Sequence, residues 1–264
     1  MKSPLRKRLP RELKSEFGKY LVVFIMMAIT IGFVSGFLVA DGSMLRAYDD
    51  SFQKYNIEDG YFQTKKKLTP AQKEDIEKSD VKVYENFYIE QKLTNGSTIR
   101  FFKNRKEVDK VCLMNGKMPK KSGEIAVDRM YADNNELKVG DTVKSRKKTF
   151  RITGLVALSD YSALFQNNND TMFDAVKFGV AIVTDKDFEA LNQVKVQYNY
   201  AWIYDKKPAT EKKEKKMAED LMEDMVDVVT IESFVPQYQN QSIHFTGDDM
   251  GSDRAMIVML LYIV

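Results

Sequence analysis

The chain has 264 residues, of which 30% are charged, and a formal net charge of +3. This length allows a domain of about 200 residues beside a membrane anchor. Cys112 and His244 are the only cysteine and histidine, which excludes an internal disulfide and a four-ligand structural zinc site. The positive charge is concentrated near the N-terminus, so the near-neutral remainder argues against a nucleic-acid partner.

Residues 1–19 carry seven basic side chains against two acidic ones. The positive-inside rule therefore predicts a cytoplasmic N-terminus. Leu5, Leu9, Leu13 and Phe17 recur every four residues between the basic ones, which indicates an amphipathic helix bound to membrane lipid at the inner leaflet. A disordered basic tail that only fixes the orientation is the alternative.

Residues 20–40 read YLVVFIMMAITIGFVSGFLVA and contain no charged residue. Their number matches the ~20 residues with which a helix crosses ~30 Å of hydrocarbon. A cleaved signal peptide would have a shorter apolar region with small residues before the cut, whereas a cut after Ala40 would leave Leu38 at position −3. We therefore predict transmembrane helix 1 at residues 20–40.

The segment after this helix keeps a helical stripe of Met44, Tyr48, Phe52 and Tyr55. This spacing predicts a helical stalk to about Asn56. Given the cytoplasmic N-terminus, residues 41–253 are expected to be extracytoplasmic.

The first part of the predicted domain combines strands with one capped helix. Tyr61–Gln63 is predicted as a short strand, and Thr69 begins a capping box for a helix to about Lys78. Apolar and polar residues alternate over 81–93, which predicts one strand. The hairpin signal Asn95-Gly96 predicts that an antiparallel second strand follows.

The rest of the domain continues this mixed order. Strands are predicted at 124–127, 150–156, 178–183, 196–204 and 228–235, and residues 160–174 are predicted as a mobile loop. Helices are predicted at 184–191 and 210–226. The apolar face of the second is expected to consist of Met217, Leu221, Met222, Met225 and Val226. The fold class predicted is α+β.

The final segment changes from a polar stretch at 240–253 to a uniformly apolar run at 255–264. Ten apolar residues make about 15 Å of helix, half of a bilayer. We expect the start of a truncated second transmembrane helix at 254–264, so that the full-length protein would be multi-pass. A buried core helix is the alternative.

No enzyme motif stands out in the sequence. Gly18 and Gly116 each precede a lysine, but the following residues do not complete a phosphate-binding loop. His244 with Ser242 or Ser252 lacks an organised third partner. The acidic residues at 248, 249 and 253 lack the spacing of a calcium loop. We predict no catalytic, cofactor-binding or metal-binding residues, and no cofactor.

Several stretches carry a family resemblance: Arg11-Glu-Leu-Lys14, Phe17-Gly-Lys-Tyr20, Gly116-Lys-Met-Pro119 with Glu124-Ile125, Leu137 to Val143 with Phe150-Arg-Ile-Thr-Gly154, and Asn240-Gln-Ser-Ile-His-Phe245 with Asp249-Met250. Together they resemble the N-terminal part of an FtsX/MacB-type ABC transporter permease. The resemblance implies a MacB-type extracytoplasmic core domain between the first two membrane helices in a bacterial cell membrane. It also implies a cytoplasmic ABC ATPase subunit and a second permease half or copy as partners.

Two other protein classes fit the same order of elements. A membrane-bound signal receptor would place an extracytoplasmic ligand-sensing α+β domain between two helices. A single-pass surface protein would bury its C-terminal helix. A permease would continue with apolar helices after Val264, whereas a receptor would continue with a soluble helical linker.

Overall fold

The computed structural model describes residue 12 and residues 14–145, 148–191 and 195–263, with side chains to residue 259. The predicted amphipathic segment at 1–19 therefore lies mostly outside the described residues. The chain divides into two compact units, of which one is Tyr48–Asp248 and the other joins residues 1–47 with residues 249–264.

The first helix, α1, runs without a break over 39 residues, Phe17–Tyr55. It contains both the predicted membrane-spanning segment and the predicted stalk. Its apolar side chains face outward, and Phe33 is 72% exposed. Among the described residues, α1 is the one helix that is long and apolar enough to cross a membrane. Because so much exposed apolar surface is unfavourable in water, a bilayer is the environment that suits this helix.

The remaining elements follow in chain order. They are β1 (Gly60–Thr64), α2 (Pro70–Glu77), β2 (Val81–Glu85), β3 (Tyr88–Lys92), β4 (Thr98–Lys103), β5 (Cys112–Gly116), β6 (Glu124–Asp128), α3 (Arg129–Asn134), β7 (Thr142–Lys144), β8 (Thr149–Ala157), β9 (Phe178–Val183), α4 (Asp185–Leu191), β10 (Tyr198–Tyr204), α5 (Glu211–Val226), β11 (Ile231–Pro236) and α6 (Gln241–Ile263). Short 3₁₀ turns lie at Ser159–Tyr161 and Gln237–Gln239. The α+β class is confirmed.

The smaller sheet is antiparallel, and its described strands follow the order β11-β1-β10-β2. Its core face is aromatic, with Phe62 stacked on Tyr200 and Trp202 stacked on Phe234. Helices α2 and α5 cover this face through Ile76 and Leu221. Gly60 permits the tight packing, because a Cβ there would lie 2.2 Å from the Trp202 ring.

The larger sheet is mixed, and its described strands follow the order β3-β4-β9-β6-β8-β5, with β7 paired to β8. The pairs β4–β9 and β6–β8 are parallel, whereas β3–β4 and β6–β9 are antiparallel. Strand β9 is buried along its whole length. Gly179 lets it approach α3, since a Cβ there would lie 2.5 Å from the Tyr131 ring.

Local signals placed several helix starts correctly. The capping box of Thr69 and Gln72 is present at α2, and Thr210 caps α5. Thr184 accepts a hydrogen bond from the Asp187 N–H at the start of α4. Each cap satisfies a backbone donor that the first helical turn leaves free.

The prediction of one strand over residues 81–93 is wrong. Strand β2 belongs to the smaller sheet and β3 to the larger one, so the chain crosses between sheets at Asn86. The Asn86 side chain is buried and donates to Asp109. This side-chain contact competes with continued strand pairing. The alternation of apolar residues along the sequence does not reveal such a contact.

One other expectation also needs correction. On α5, Met222 and Val226 are 45% and 60% exposed, and Ala218 takes their place in the core. The polar stretch 240–253, for which the sequence predicted no secondary structure, is helical from Gln241 onward. The segment 160–174 forms a loop that buries Leu164 and Phe165, and its mobility stays a prediction.

Candidate functional site

A polar cavity of about 380 Å³ lies between the two sheets of the unit Tyr48–Asp248. Strands β1, β10 and β11 form one side, and Tyr88 of β3 with Arg100 of β4 forms the other. Nine of the twenty described lining residues are Asn or Gln: Gln63, Asn86, residues 166–169, Asn199, Gln239 and Asn240. The cavity wall is therefore rich in side chains that both donate and accept hydrogen bonds.

Arg100 and Glu90 form the charged pair at one wall of the cavity. They face each other across the β3–β4 hairpin, and the Arg100 Nε and Nη2 donate to the Glu90 Oε1 at 2.9 and 2.6 Å. Arg100 Nη1 also donates to the Tyr161 hydroxyl at 2.6 Å. Burial opposes the charge, but Tyr161, Tyr88 and Glu90 outweigh it and raise the pKa of Arg100. Arg100 therefore remains a cation with its charge compensated inside the wall.

Arg105 and Asp160 form a second buried pair beside the first. The two Nη atoms donate to the two carboxylate oxygens at 2.5 and 2.9 Å, which is a bidentate arrangement. Their side chains are only 6% and 4% exposed. Burial opposes the Arg105 charge, but Asp160 and Asp109 outweigh it and raise its pKa.

Glu58 lines the cavity, and Asp109 is a second buried carboxyl group in contact with it. Burial, followed by Asp109, raises the pKa of Glu58 well above its ordinary 4.5, and burial, followed by Asp160, raises the pKa of Asp109 to about 7. Asp109 accepts from the Glu58 N–H at 2.9 Å and from Asn86 Nδ2 at 3.1 Å. Because Asp109 receives these donors, we assign the proton that the pair shares to Glu58.

Glu58 also joins two chain segments within this unit. It follows the end of α1 by three residues, and its Oε1 accepts from Asn240 Nδ2 at 3.4 Å, just before α6. Its carbonyl accepts from Gln237 Nε2 at 2.5 Å. The Tyr48 hydroxyl donates to the Ile243 carbonyl at 2.7 Å. The segments that flank the domain therefore meet at one hydrogen-bonded junction.

The sequence analysis considered Ser242 and Ser252 as partners of His244 and rejected both. Ser242 and His244 are two positions apart on α6, a spacing at which helical side chains do not face each other. Cys112 is half-buried, and its Sγ lies 3.7 Å from Met114 Sδ. Within the described part of the chain, no group of three or more His, Cys, Asp or Glu side chains is placed to hold a metal ion.

Sequence reasoning named none of the residues that line the cavity as functional. One signal was present, because Glu90 and Arg100 carry opposite charges on the two sides of the Asn95-Gly96 hairpin. A second was the Gln166 to Asn169 run, which was interpreted only as a loop. Glu58, Asp109 and Asn240 are far apart in the sequence and come together only in the folded domain. A single sequence does not show such contacts.

Comparison with known proteins gives matches among solved structures alone. No protein-family model matches the chain, and no curated protein does. The extracellular domain of the noncanonic ABC-type transporter YknZ from Gram-positive bacteria is similar at 12% identity and a TM-score of 0.33, over 67% of this chain and 97% of that chain. The periplasmic region of MacB from Actinobacillus actinomycetemcomitans is similar at 13% identity and a TM-score of 0.33, over 63% and 83%.

Proposed function

We propose that this chain is part of the permease subunit of an FtsX/MacB-type ABC transporter. Its domain at 41–253 would lie outside the bacterial cell membrane, and a separate cytoplasmic ATPase would supply the energy. In this role the domain would couple ATP hydrolysis to export or to mechanical signalling.

The observation that carries the proposal is the junction around Glu58. Asn240 and Gln237 contact the Glu58 residue, so the segment after α1 and the segment before α6 are tied together inside one unit. A domain inserted between two membrane helices needs its entering and leaving segments side by side. The hydrogen bond from Tyr48 to the Ile243 carbonyl adds a contact between the two helices themselves.

The length of α1 supports the membrane part of the proposal. At 1.5 Å per residue, its 39 residues span about 58 Å, roughly twice the ~30 Å of a hydrocarbon core. The excess is enough to continue as the stalk. The seven-to-two excess of basic residues in 1–19 supports a cytoplasmic N-terminus under the positive-inside rule.

A ligand-sensing receptor domain remains the second candidate, because the polar cavity is a specific feature that would suit it. The two functions differ in their cytoplasmic partner. A permease works with an ATPase that carries a phosphate-binding loop, whereas a receptor passes its signal to a kinase or similar module.

The test is purification of the full-length protein from its native membrane in nanodiscs, followed by identification of the co-purifying subunits and assay of ATP hydrolysis. We expect a phosphate-loop ATPase whose activity is inhibited by vanadate. Recovery of a kinase, or of the chain without any ATPase, would contradict the proposal.

A further inference from the structure

Strand β5 is the more exposed of the two end strands of the larger sheet. Four of its five residues are exposed, whereas β3 at the opposite end has one exposed residue, Lys92. Among the described strands β5 pairs with β8 alone. The backbone groups on its outer side therefore have no partner in the described part of the chain. Such an edge can accept a further strand.

Apolar side chains lie along this edge. Leu113 and Met114 are 42% and 52% exposed. Val139 is 41% exposed and adjoins the end of the strand, because a Cβ at Gly116 would lie 3.1 Å from Val139 Cγ2. An edge that is only protected against pairing would carry polar side chains at these positions. The apolar side chains instead offer a contact surface to another strand.

The segment that contains β5 carries only positive charge. Residues 110–121 read KVCLMNGKMPKK, with four lysines and no acidic residue. Lys110 and Lys117 flank the strand at its two ends, and both are exposed. Neither forms an ion pair with an acid among the described residues. The residues of β8 that face β5, at 154–157, are uncharged as well, so β8 does not compensate these lysines.

The two lysines distinguish between possible occupants of the edge. Pairing with the same strand of a second copy, parallel or antiparallel, would bring lysine against lysine, and like charges across a strand pair are destabilising. An acidic strand would place carboxylates beside Lys110 and Lys117, and opposite charges across a strand pair are stabilising. Its apolar side chains would cover Leu113 and Met114.

We propose that β5 is a docking edge for an extended acidic segment of a partner protein, which adds a strand to the larger sheet. Backbone hydrogen bonds to the outer side of β5 supply affinity. Lys110 and Lys117 select acidic residues near the ends of the added strand, and the apolar side chains between them select apolar ones. The proposal concerns binding alone, so it does not rest on the permease function or on an ATPase partner.

The test is titration of two fluorescent heptapeptides with the full chain in detergent, followed by fluorescence anisotropy. One peptide alternates glutamate with valine, and the other alternates lysine with valine. We expect the acidic peptide to bind with a Kd of about 0.1 mM or tighter, and the basic peptide to bind at least about tenfold more weakly. Added salt should weaken the binding, because exposed charges are screened. Hydrogen exchange at residues 112–116 should slow in the complex, because strand addition occupies their N–H groups.

Two variants of the edge and one matched control make the result specific. Met114→Pro removes an N–H and blocks strand addition, and Met114 has no register partner on β8 whose pairing would be lost. Lys110→Glu with Lys117→Glu reverses the charge. Each should weaken binding of the acidic peptide by about tenfold or more. Lys82→Glu with Lys212→Glu changes exposed lysines of the other sheet and its helix, and should leave binding unchanged.

Urea unfolding followed by Trp202 fluorescence verifies that each variant is folded, and the charge variant decides alone if Met114→Pro does not fold. The proposal is overturned if the folded wild type does not bind the acidic peptide or binds both peptides equally. Unchanged binding by a folded edge variant, or lost binding by the control, would also overturn it. Sedimentation of the chain without peptide tests the other occupant. A dimer that the edge variants dissociate would assign β5 to a second copy and reject the acidic partner.

Discussion

At the scale of single residues, the buried carboxyl pair Glu58 and Asp109 makes stability depend on pH. Burial raises both pKa values above the ordinary 4.5 and 3.8, to about 7 for Asp109. The folded chain therefore holds protons that the unfolded chain releases. This stabilising contribution is present in full below the ordinary pKa values and is lost as the pH rises through the folded values. We expect the free energy of unfolding to fall as the pH rises from 4.5 through about 7.

Glu58→Gln isolates the carboxyl that holds the proton. Gln keeps a neutral acceptor for Asn240 and offers an N–H to Asp109, so the variant should lose much of the pH dependence. At about pH 8 it should be at least as stable as the wild type. Urea unfolding, followed by the fluorescence of Trp202, the only tryptophan, measures the free energy of unfolding of the wild type and of the variant at each pH. Glu219→Gln at an exposed position is the control. An unchanged pH slope in Glu58→Gln would refute the protonation assignment.

The buried Arg105–Asp160 pair gives a second prediction. Arg105→Met leaves the Asp160 carboxylate uncompensated and should destabilise the protein by about 3–5 kcal/mol. Adding Asp160→Leu should recover most of this loss, because the remaining buried charge is removed. At the exposed pair Arg129–Asp133, Arg129→Ala should cost no more than about 0.5 kcal/mol. Urea unfolding measures all the variants, and an additive double variant would argue against direct pairing.

At the scale of elements, the continuity of α1 through Gly42 can be tested. A Cβ at Gly42 would meet nothing within 4 Å, and the backbone there is helical. Gly42→Ala should therefore stabilise the protein by up to about 1 kcal/mol. Gly42→Pro should cost about 3 kcal/mol or more by breaking the helix.

Under the function proposed above, Gly42→Pro should also uncouple ATP hydrolysis from transport, whereas Gly42→Ala should not. Unfolding measurements and coupled transport assays on the two variants check both expectations. Normal coupling with Pro, or lost coupling with Ala, would contradict a continuous helical lever.

Gly247 on α6 gives a prediction about helix packing. A Cβ at Gly247 would lie 2.7 Å from Tyr48 Cε1, whereas one at Gly251 would meet nothing within 4 Å. Both changes to Ala raise helix propensity equally, so their difference reports the contact alone. We expect Gly247→Ala to be less stable than Gly251→Ala by about 1–3 kcal/mol in urea unfolding. Equal stabilities would show that Tyr48 does not pack on Gly247.

The elements differ in how far their sequences predict them. Helix α2 with its capping box and the Asn95-Gly96 hairpin depend on contacts within a few residues, and the sequence predicted them closely. The break at Asn86 and the buried loop at 160–174 depend on partners more than 20 residues away or on burial. The cavity depends on both sheets at once, so no local pattern could predict it.

At the scale of the whole molecule, the orientation of the domain is the least local prediction. The evidence for it is the basic excess in residues 1–19 and the apolar surface of α1. The sheets and the cavity give no information about orientation, because they would be the same on either side of the membrane. A chemical probe that cannot cross the bilayer tests it directly. Asn169 is suitable for such a probe because its side chain is exposed at the rim of the cavity.

We predict that Asn169→Cys, in a Cys112→Ser background, reacts with an impermeant maleimide in intact cells. The replacement of Cys112 removes the only native thiol, so any labelling reports position 169. Glu12→Cys in the same background lies on the other side of the 20–40 segment and should react only after lysis. Because the two positions are separated by one predicted crossing, their labelling patterns must be opposite. Labelling of both positions in intact cells would mean that residues 20–40 do not cross the membrane, and the reverse pattern would place the domain in the cytoplasm.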